Sequence, residues 1–428
     1  MTLKLLGMAP EYFGGSYPYS RSEKSVTEVL VNRWKLDPYG LVVRLLICAV
    51  CATIPSRAGA APPVGRTVKL AREAALVSIR TATTSNAAVV AWVAERRDRT
   101  KLLKASWIPW HGSAAGKVMV VAKGVGLPPQ LVARDDGRVW VVYAEDNATA
   151  PGSPHPRSIR ARILSAEGPV GDTPVTLEVP DGYLYQFHAW TRPDGGLLLW
   201  WWHYGDINHA STRAFDSEGN PLAEERDVSL GYDSLMAVAD EGVALQVSFS
   251  ESSELGRHFD QLVGVQIDSD GVFLRWMELT PRSFPPGSSL GDFDVSRAAG
   301  GGYWLTWREA REGGVTLWAR RVTADGDLGP ALVAGADRAA GPLAPTPDGG
   351  FLICHVSHGR LVARLHGEDA RPRGTPLLLV RGATNWSPLE LAVTAAGQGA
   401  VAWWGPPATD DDDNRTLFLT RFTVPPGE

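Results

Sequence analysis

The chain has 428 residues, of which 44% are hydrophobic and 21% are charged, and its formal net charge at neutral pH is −5. This composition is typical of a globular protein with a substantial core and excludes an intrinsically disordered chain. The 45 glycines and 31 prolines indicate many turns, and 16 tryptophans are an unusually high number. The acidic balance argues against nucleic acid and anionic membrane as partners.

The first distinctive element in chain order is an apolar segment with the form of a secretory signal peptide. Arg44 precedes an apolar run of about ten residues that starts at Leu45, and Ala58-Gly59-Ala60 matches a small-x-small cleavage site. The run is too short to span a bilayer. We therefore predict a signal peptide at about residues 43–60 and an exported protein, periplasmic, cell-surface or extracellular; the alternative is a short buried segment.

This signal-like segment divides the chain into two parts. We interpret residues 1–60 as the signal peptide preceded by an extension that lies upstream of the true start, with Val43 as an alternative initiator. Residues 61–428 then form a single domain with no predicted membrane span. That domain carries 35 basic and 43 acidic residues, because seven Lys or Arg and four Asp or Glu fall in the leader. Its one cysteine, Cys354, excludes an intrachain disulfide.

Seven copies of one turn-and-strand phrase follow between residues 86 and 403. A turn rich in Gly, Asp or Asn leads into an apolar strand that usually ends at Trp, most clearly in Asp194-Gly195-Gly196-Leu197-Leu198-Leu199-Trp200. Repetition at a period near fifty residues indicates a radial or stacked architecture. The fourth copy lacks Trp and is weaker. The anchors of the seven copies are Asn86, Asp135, Asp194, Asp240, Gly300, Asp348 and Gly397.

A second signature, a strand that ends in a Gly turn, occurs later in most copies. Six residues before the turn glycine stands an arginine in three of four cases, and the fourth residue before it is apolar. An even offset places both side chains on one face of a strand. The arginines are Arg162, Arg213 and Arg320. Each copy therefore contains four strands, A to D, with short A–B and C–D turns and a variable B–C loop.

These patterns resemble the Asp-Gly-Gly-apolar-Trp blade repeat of secreted bacterial β-propellers, and the resemblance covers about residues 70–425. It implies an all-β fold, a seven-bladed β-propeller of four-stranded antiparallel blades with negligible helix after residue 61. It also implies that B–C and D–A connections share one end of the central channel. We expect residues 66–71 to complete the last blade beside residues 416–423, which removes an exposed sheet edge.

Candidate site residues come from the B–C and D–A connections, because variable loops on a rigid scaffold are where binding usually occurs. His203, Asp206 and His209 form the densest polar cluster, and Tyr232 and Trp386 are candidate exposed aromatics at the channel mouth. We predict that these five residues bind the ligand. Because loop side chains pack little, replacing His203 and His209 with Ala is expected to leave thermal stability nearly unchanged.

Three further motifs have a functional and a structural interpretation. The His203–His209 cluster supplies ligand types suited to a metal, but ordinary polar loop composition is the preferred interpretation and no metal site is predicted. Asp410, Asp412 and Asn414 have the alternating spacing of calcium loops, although a solvated acidic loop is preferred. Trp200 and Trp202 share one strand face opposite Trp201, and blade packing is preferred over a platform for sugar rings.

The sequence contains no recognised catalytic motif, so fold and activity are separate questions. We expect a binding or scaffold module for protein or carbohydrate at the B–C and D–A face. The rival is a propeller-fold glycan hydrolase or lyase that uses B–C loop histidines or the carboxylates Glu145, Asp146, Asp206 and Glu309. A third candidate is a structural domain of a larger surface assembly. No carboxylate pair can be singled out as acid and base, so we favour a binding or scaffold module over an enzyme.

Overall fold

The computed structural model describes residues 65–73, 75–112, 116–146, 156–178, 183–204, 209–228, 235–239, 242–251, 259–280, 288–311, 314–335, 341–381, 389–405 and 415–425. All of these ranges fall in one compact unit, Pro62–Glu428. Every regular element in them is a β-strand and none of their residues is helical. The described part of the chain has no helix with the length and apolar character of a membrane span. The predicted signal peptide lies outside the described residues.

In the described part of the chain, twenty-eight strands form seven four-stranded antiparallel sheets, and each sheet is one blade of the propeller. The first strand, β1 (Arg66–Glu73), belongs to the last blade. The strands of blades 1 to 3 are β2 (Ala75–Thr83), β3 (Ala87–Glu95), β4 (Lys101–Pro109) and β5 (Val118–Lys123); β6 (Gln130–Ala133), β7 (Val139–Asp146), β8 (Pro156–Leu164) and β9 (Pro169–Glu178); and β10 (Tyr183–Thr191), β11 (Leu197–Tyr204), β12 (His209–Phe215) and β13 (Arg226–Asp227).

Blades 4 to 7 repeat this order. Their strands are β14 (Leu235–Val238), β15 (Ala244–Glu251), β16 (Phe259–Ile267) and β17 (Phe273–Glu278); β18 (Ser289–Arg297), β19 (Tyr303–Arg311), β20 (Gly314–Val322) and β21 (Leu332–Gly335); β22 (Leu343–Pro345), β23 (Phe351–Ser357), β24 (Arg360–His366) and β25 (Pro372–Arg381); and β26 (Leu389–Val393), β27 (Gln398–Gly405) and β28 (Arg415–Thr423) with β1. The predicted seven-bladed propeller is thus confirmed, and the weak fourth copy forms a complete blade.

Burial explains the apolar phrase that marks each copy. A blade packs against a neighbour on both faces, so its second strand is buried along most of its length, as in β3, where eight of nine residues are buried. A strand covered on both faces reads as a continuous apolar run instead of an alternating one. The outermost strand is covered less completely, and in β5 exposed and buried residues alternate over its first four positions.

Seven clusters of buried apolar side chains hold the described part of the ring together, one between each pair of neighbouring blades. Trp201 packs between blades 2 and 3, whereas Trp200 and Trp202 pack between blades 3 and 4. All three side chains are buried. The predicted alternation of these tryptophans and their role in blade packing are therefore confirmed.

The first strand closes the ring. β1 pairs antiparallel with β28, so that Val68 lies opposite Leu419 and Thr67 opposite Thr420. Val68 and Leu70 are buried in the cluster between blades 7 and 1. The N-terminal strand is thus the fourth strand of the last blade, as predicted. Blade 7 combines strands from both ends of the propeller, which makes its integrity a condition for the whole ring.

Candidate functional site

The A–B turns of all seven blades surround a cavity of about 830 Å³, here called the A–B bowl. In blade 3, Arg192 N–H donates to the Gly196 carbonyl at 3.0 Å and Gly195 N–H donates to the Arg192 carbonyl at 2.9 Å. Gly195 has φ +81°, a conformation that favours glycine. One residue from each blade in turn is Ser85, Asp135, Pro193, Ala239, Ala299, Pro347 and Ala395.

Two arginines of the bowl connect its turns to the next blade. Arg134 Nη1 donates to the carbonyl of Ser217 at 2.9 Å. Arg192 Nη1 donates to the carbonyl of Ser269 at 2.5 Å and lies 2.9 Å from Asp270. Ser217 and Ser269 stand in the C–D turns of blades 3 and 4. These guanidinium groups are therefore already engaged in holding neighbouring blades together.

Two carboxylates of the A–B turns, Asp136 and Asp194, are ionised and paired with arginines. Burial acts to raise the pKa of Asp136, but hydrogen bonds from Arg138 and Arg134 outweigh it and lower the pKa to about 2. Burial opposes a similar shift at Asp194, where hydrogen bonds from Arg192 hold the pKa below its usual value. A carboxyl group held ionised in this way cannot act as a general acid at neutral pH. Asp136 and Asp194 are therefore fixed anionic groups of these turns and not proton donors.

Three charged side chains on innermost strands lie inside the ring. Arg80 of β2 donates to Glu390 of β26 at 2.6 Å. Asp294 of β18 accepts hydrogen bonds from the N–H groups of Leu343 and Val295, both at 2.8 Å. Burial raises the pKa of Asp294 to about 7 against these hydrogen bonds, and the charge of Glu390 adds to the rise. Burial also raises the pKa of Glu390, while Arg80 opposes it.

The structure places the predicted histidines in strands. His203 lies in β11, is 4% exposed, and pairs across the ladder with His209 at the start of β12. The loop assignment of both residues was wrong, because β11 continues beyond the tryptophan run to Tyr204. The premise that His203 carries little packing is wrong for the same reason. Asp206, Tyr232 and Trp386 lie outside the described residues, so the five-residue site stays a prediction.

The carboxylates of the enzyme hypothesis are also at strand ends and not in loops. Glu145 ends β7 with Asp146 and lies 2.6 Å from Arg160 Nε. Glu309 is buried in β19, where it accepts hydrogen bonds from Trp318 at 2.9 Å and Arg311 at 2.7 Å. Both glutamates are therefore engaged in ion pairs of their own blades. Asp206, the fourth candidate, lies outside the described residues.

Metal binding has no support among the residues that the structure describes, since none of their His, Cys, Asp and Glu side chains form a group of three placed to hold an ion. The Asp410–Asn414 run, the alternative calcium loop, lies outside the described residues. Sequence reasoning missed Asp294 and Glu390. The available signal was a carboxylate between two apolar residues on an innermost strand, as in Phe293-Asp294-Val295 and Leu389-Glu390-Leu391.

No protein-family model matches the sequence, and no curated protein matches it. Among solved structures, the chain is similar to a protein of unknown function from Dyadobacter fermentans, with 11% identity, a TM-score of 0.45 and coverage of 69% of this chain and 94% of the other. An ulvan lyase has 9% identity, a TM-score of 0.49 and coverage of 83% and 93%. Virginiamycin B lyase from Staphylococcus aureus has 13% identity, a TM-score of 0.47 and coverage of 84% and 99%.

Similarities at this level carry no argument about activity. The propeller assignment rests on the seven sheets themselves.

Proposed function

We propose that this protein is an exported propeller that acts as a binding or scaffold module for protein or carbohydrate. The observation that carries the proposal is the A–B bowl, to which all seven blades contribute and whose charged rim groups are held in fixed positions. Its volume of about 830 Å³ lies within the range of about 300–1,000 Å³ for ligand pockets. A preformed concave surface with fixed polar groups suits recognition, because little order is lost on binding.

The enzyme alternative, a glycan hydrolase or lyase, needs an acid and a base that converge on one substrate bond. In the described part of the chain, Glu145 and Glu309 are each engaged in a separate ion pair in blades 2 and 5. This separation favours binding over catalysis. Incubation with neutral and acidic polysaccharides, read out by new reducing ends and by ultraviolet absorbance of unsaturated uronic products, tests it. Turnover that is lost in Glu309→Gln without loss of stability would establish the enzyme instead.

The bowl can be tested by filling it. Ala395 is exposed at the bowl, so Ala395→Trp should block a ligand there without disturbing the core. Ala166→Trp is the matched control, because Ala166 is exposed in a C–D turn at the same end of the ring but does not line the bowl. Affinity electrophoresis through a polysaccharide panel, and capture of proteins from culture supernatant, should show loss in Ala395→Trp alone.

The same assays decide between the two ends of the channel. If His209→Ala loses binding while Ala395→Trp retains it, the ligand meets the B–C and D–A face, as the sequence predicts. If both variants bind as the unmodified protein does, neither mouth of the channel is the binding site. That result would favour the third candidate, a structural domain of a surface assembly.

Export is tested separately: mass spectrometry of the exported protein should give an N-terminus at Ala61.

A further inference from the structure

A second cleft lies on the outer side of the ring where the last blade meets the first. It has a volume of about 550 Å³, and its lining shares no residue with the A–B bowl. Glu73 of β1 forms one wall, and parts of β3, β4 and β5 of blade 1, with the turn between β3 and β4, form the rest. The cleft is at the end of the ring that carries the B–C connections, because the turn between β3 and β4 contributes Arg96 and Arg97.

The floor of this cleft is aliphatic. Ala94, Leu102 and Val120 come from three adjacent strands of blade 1, and Val120 is 51% exposed. In the β4–β5 ladder Val120 lies opposite Lys104, so both side chains project from the same face of the sheet. The cleft lining contains no aromatic residue. A floor of this kind fits an aliphatic side chain better than a sugar ring, which stacks on aromatic faces.

The rim of the cleft is basic. Arg96, Arg97 and Lys123 are exposed and form no salt bridge with any residue that the structure describes. Lys104, by contrast, is neutralised by Glu73 at 2.6 Å. Glu95 is the other acidic group of the lining. The cleft therefore carries an excess of positive charge in a chain whose net charge is −5.

We infer that this cleft binds an acidic peptide segment that alternates carboxylate and aliphatic side chains. The aliphatic side chains would cover Val120 and Leu102, and the carboxylates would meet Arg96, Arg97 and Lys123. Charge complementarity selects this partner, since arginine pairs with carboxylates in a bidentate geometry. The leader of the chain itself is excluded by charge, with seven basic and four acidic residues in positions 1–60. The inference does not rest on the A–B bowl.

The test uses a fluorescent peptide of alternating aspartate and valine, with an aspartate–serine and a lysine–valine peptide as comparisons. Only the aspartate–valine peptide should bind in anisotropy titrations, and added salt should weaken it. Arg97→Glu should weaken binding about tenfold. Arg99→Glu, in the same turn but outside the cleft lining, should change it by no more than about twofold.

Floor and rim are tested apart. Val120→Thr adds a hydroxyl to the floor and should weaken binding about threefold. Val77→Thr is its control, because Val77 is 46% exposed and lies outside the cleft. Absence of aspartate–valine binding, or equal weakening by Arg97→Glu and Arg99→Glu, would overturn the inference. Binding of polygalacturonate that depends on Arg97 while the peptide fails to bind would assign the cleft to an acidic glycan instead.

Discussion

Arg80 and Glu390 join the innermost strands of the first and last blades, with Arg80 Nη1 2.6 Å from Glu390 Oε1. The two residues are 310 positions apart in the sequence. Because the ring closes between these blades, the ion pair lies at the junction where two distant parts of the chain must meet. Burial raises the pKa of Glu390, whereas the positive charge of Arg80 acts to lower it.

Arg80→Met should destabilise the protein by about 1–2 kcal/mol, because it leaves the partly buried Glu390 carboxylate without its partner. Glu390→Gln should cost less, about 1 kcal/mol, since an amide carries no charge to desolvate. Denaturant unfolding of the two single variants and the double variant measures the coupling. Additive losses would show that the pair contributes no interaction energy.

Ring closure can be tested on β1. Leu70→Ala removes a buried side chain from the cluster between blades 7 and 1 and should cost about 2–3 kcal/mol. Lys69→Ala, on the adjacent exposed position, is the control and should change stability by less than about 0.5 kcal/mol. Thermal unfolding measures both. Equal midpoints for Leu70→Ala and the unmodified protein would contradict closure by this strand.

Asp294 should make stability depend on pH. Burial raises its folded pKa to about 7, well above the ordinary value of an aspartate, so the folded state holds a proton that the unfolded state releases. The contribution is therefore complete below about pH 4 and is lost as the pH rises through about 7. Asp294→Asn should flatten this part of the curve of unfolding free energy against pH. An unchanged slope in the variant would show that another group causes it.

The sequence predicts the ring well because the repeat is local. In each blade a turn precedes a strand that is buried on both faces. Segments such as Leu197–Trp202 are therefore apolar at every position, and the sequence alone shows that they are buried. Even the copy at Asp240, which lacks Trp, forms a complete blade, because the strand that follows it keeps apolar residues at Ala244, Leu245 and Val247 and buries them. Strand alternation also predicts the opposite faces of Trp201 and its two neighbours.

The site is less predictable because it depends on contacts between blades. No local pattern shows that Arg80 meets Glu390, or that Arg192 reaches a turn of the next blade. The sequence predicts a loop at His203 because nothing in it marks where β11 ends. The point where a strand ends and a loop begins depends on how far its partner strand extends, and the apolar run alone does not reveal this length.

His203→Ala should now lower stability by about 1–2 kcal/mol, contrary to the expectation for a loop residue, because the side chain is 4% exposed within β11. His358→Ala is the control, since His358 is exposed in the turn between β23 and β24. Thermal unfolding of both variants measures whether His203 contributes the stability expected of a buried strand residue. A loss in His358→Ala but not in His203→Ala would contradict the strand placement.

The interblade arginines of the A–B bowl should stabilise the ring independently of each other. Arg192→Ala leaves the Ser269 carbonyl without its donor and removes the Asp270 contact, so we expect a loss of about 1–2 kcal/mol. Arg134→Ala breaks the corresponding contact to Ser217 one blade earlier. The double variant should lose the sum of the two, because the contacts join different pairs of blades.

Arg138→Ala is the matched control for this pair. Arg138 is more exposed, and among the described residues its guanidinium bonds only to Asp136 of its own turn, so its loss should cost less than about 0.5 kcal/mol. Arg192→Lys should recover only part of the Arg192→Ala loss, since an ammonium cannot reproduce the planar fork that serves Ser269, Asp270 and Asp194 together. Guanidinium chloride unfolding measures all five variants. If Arg192→Ala matches Arg138→Ala, the contact to the next blade does not stabilise the ring, and the bowl is held by its turns alone.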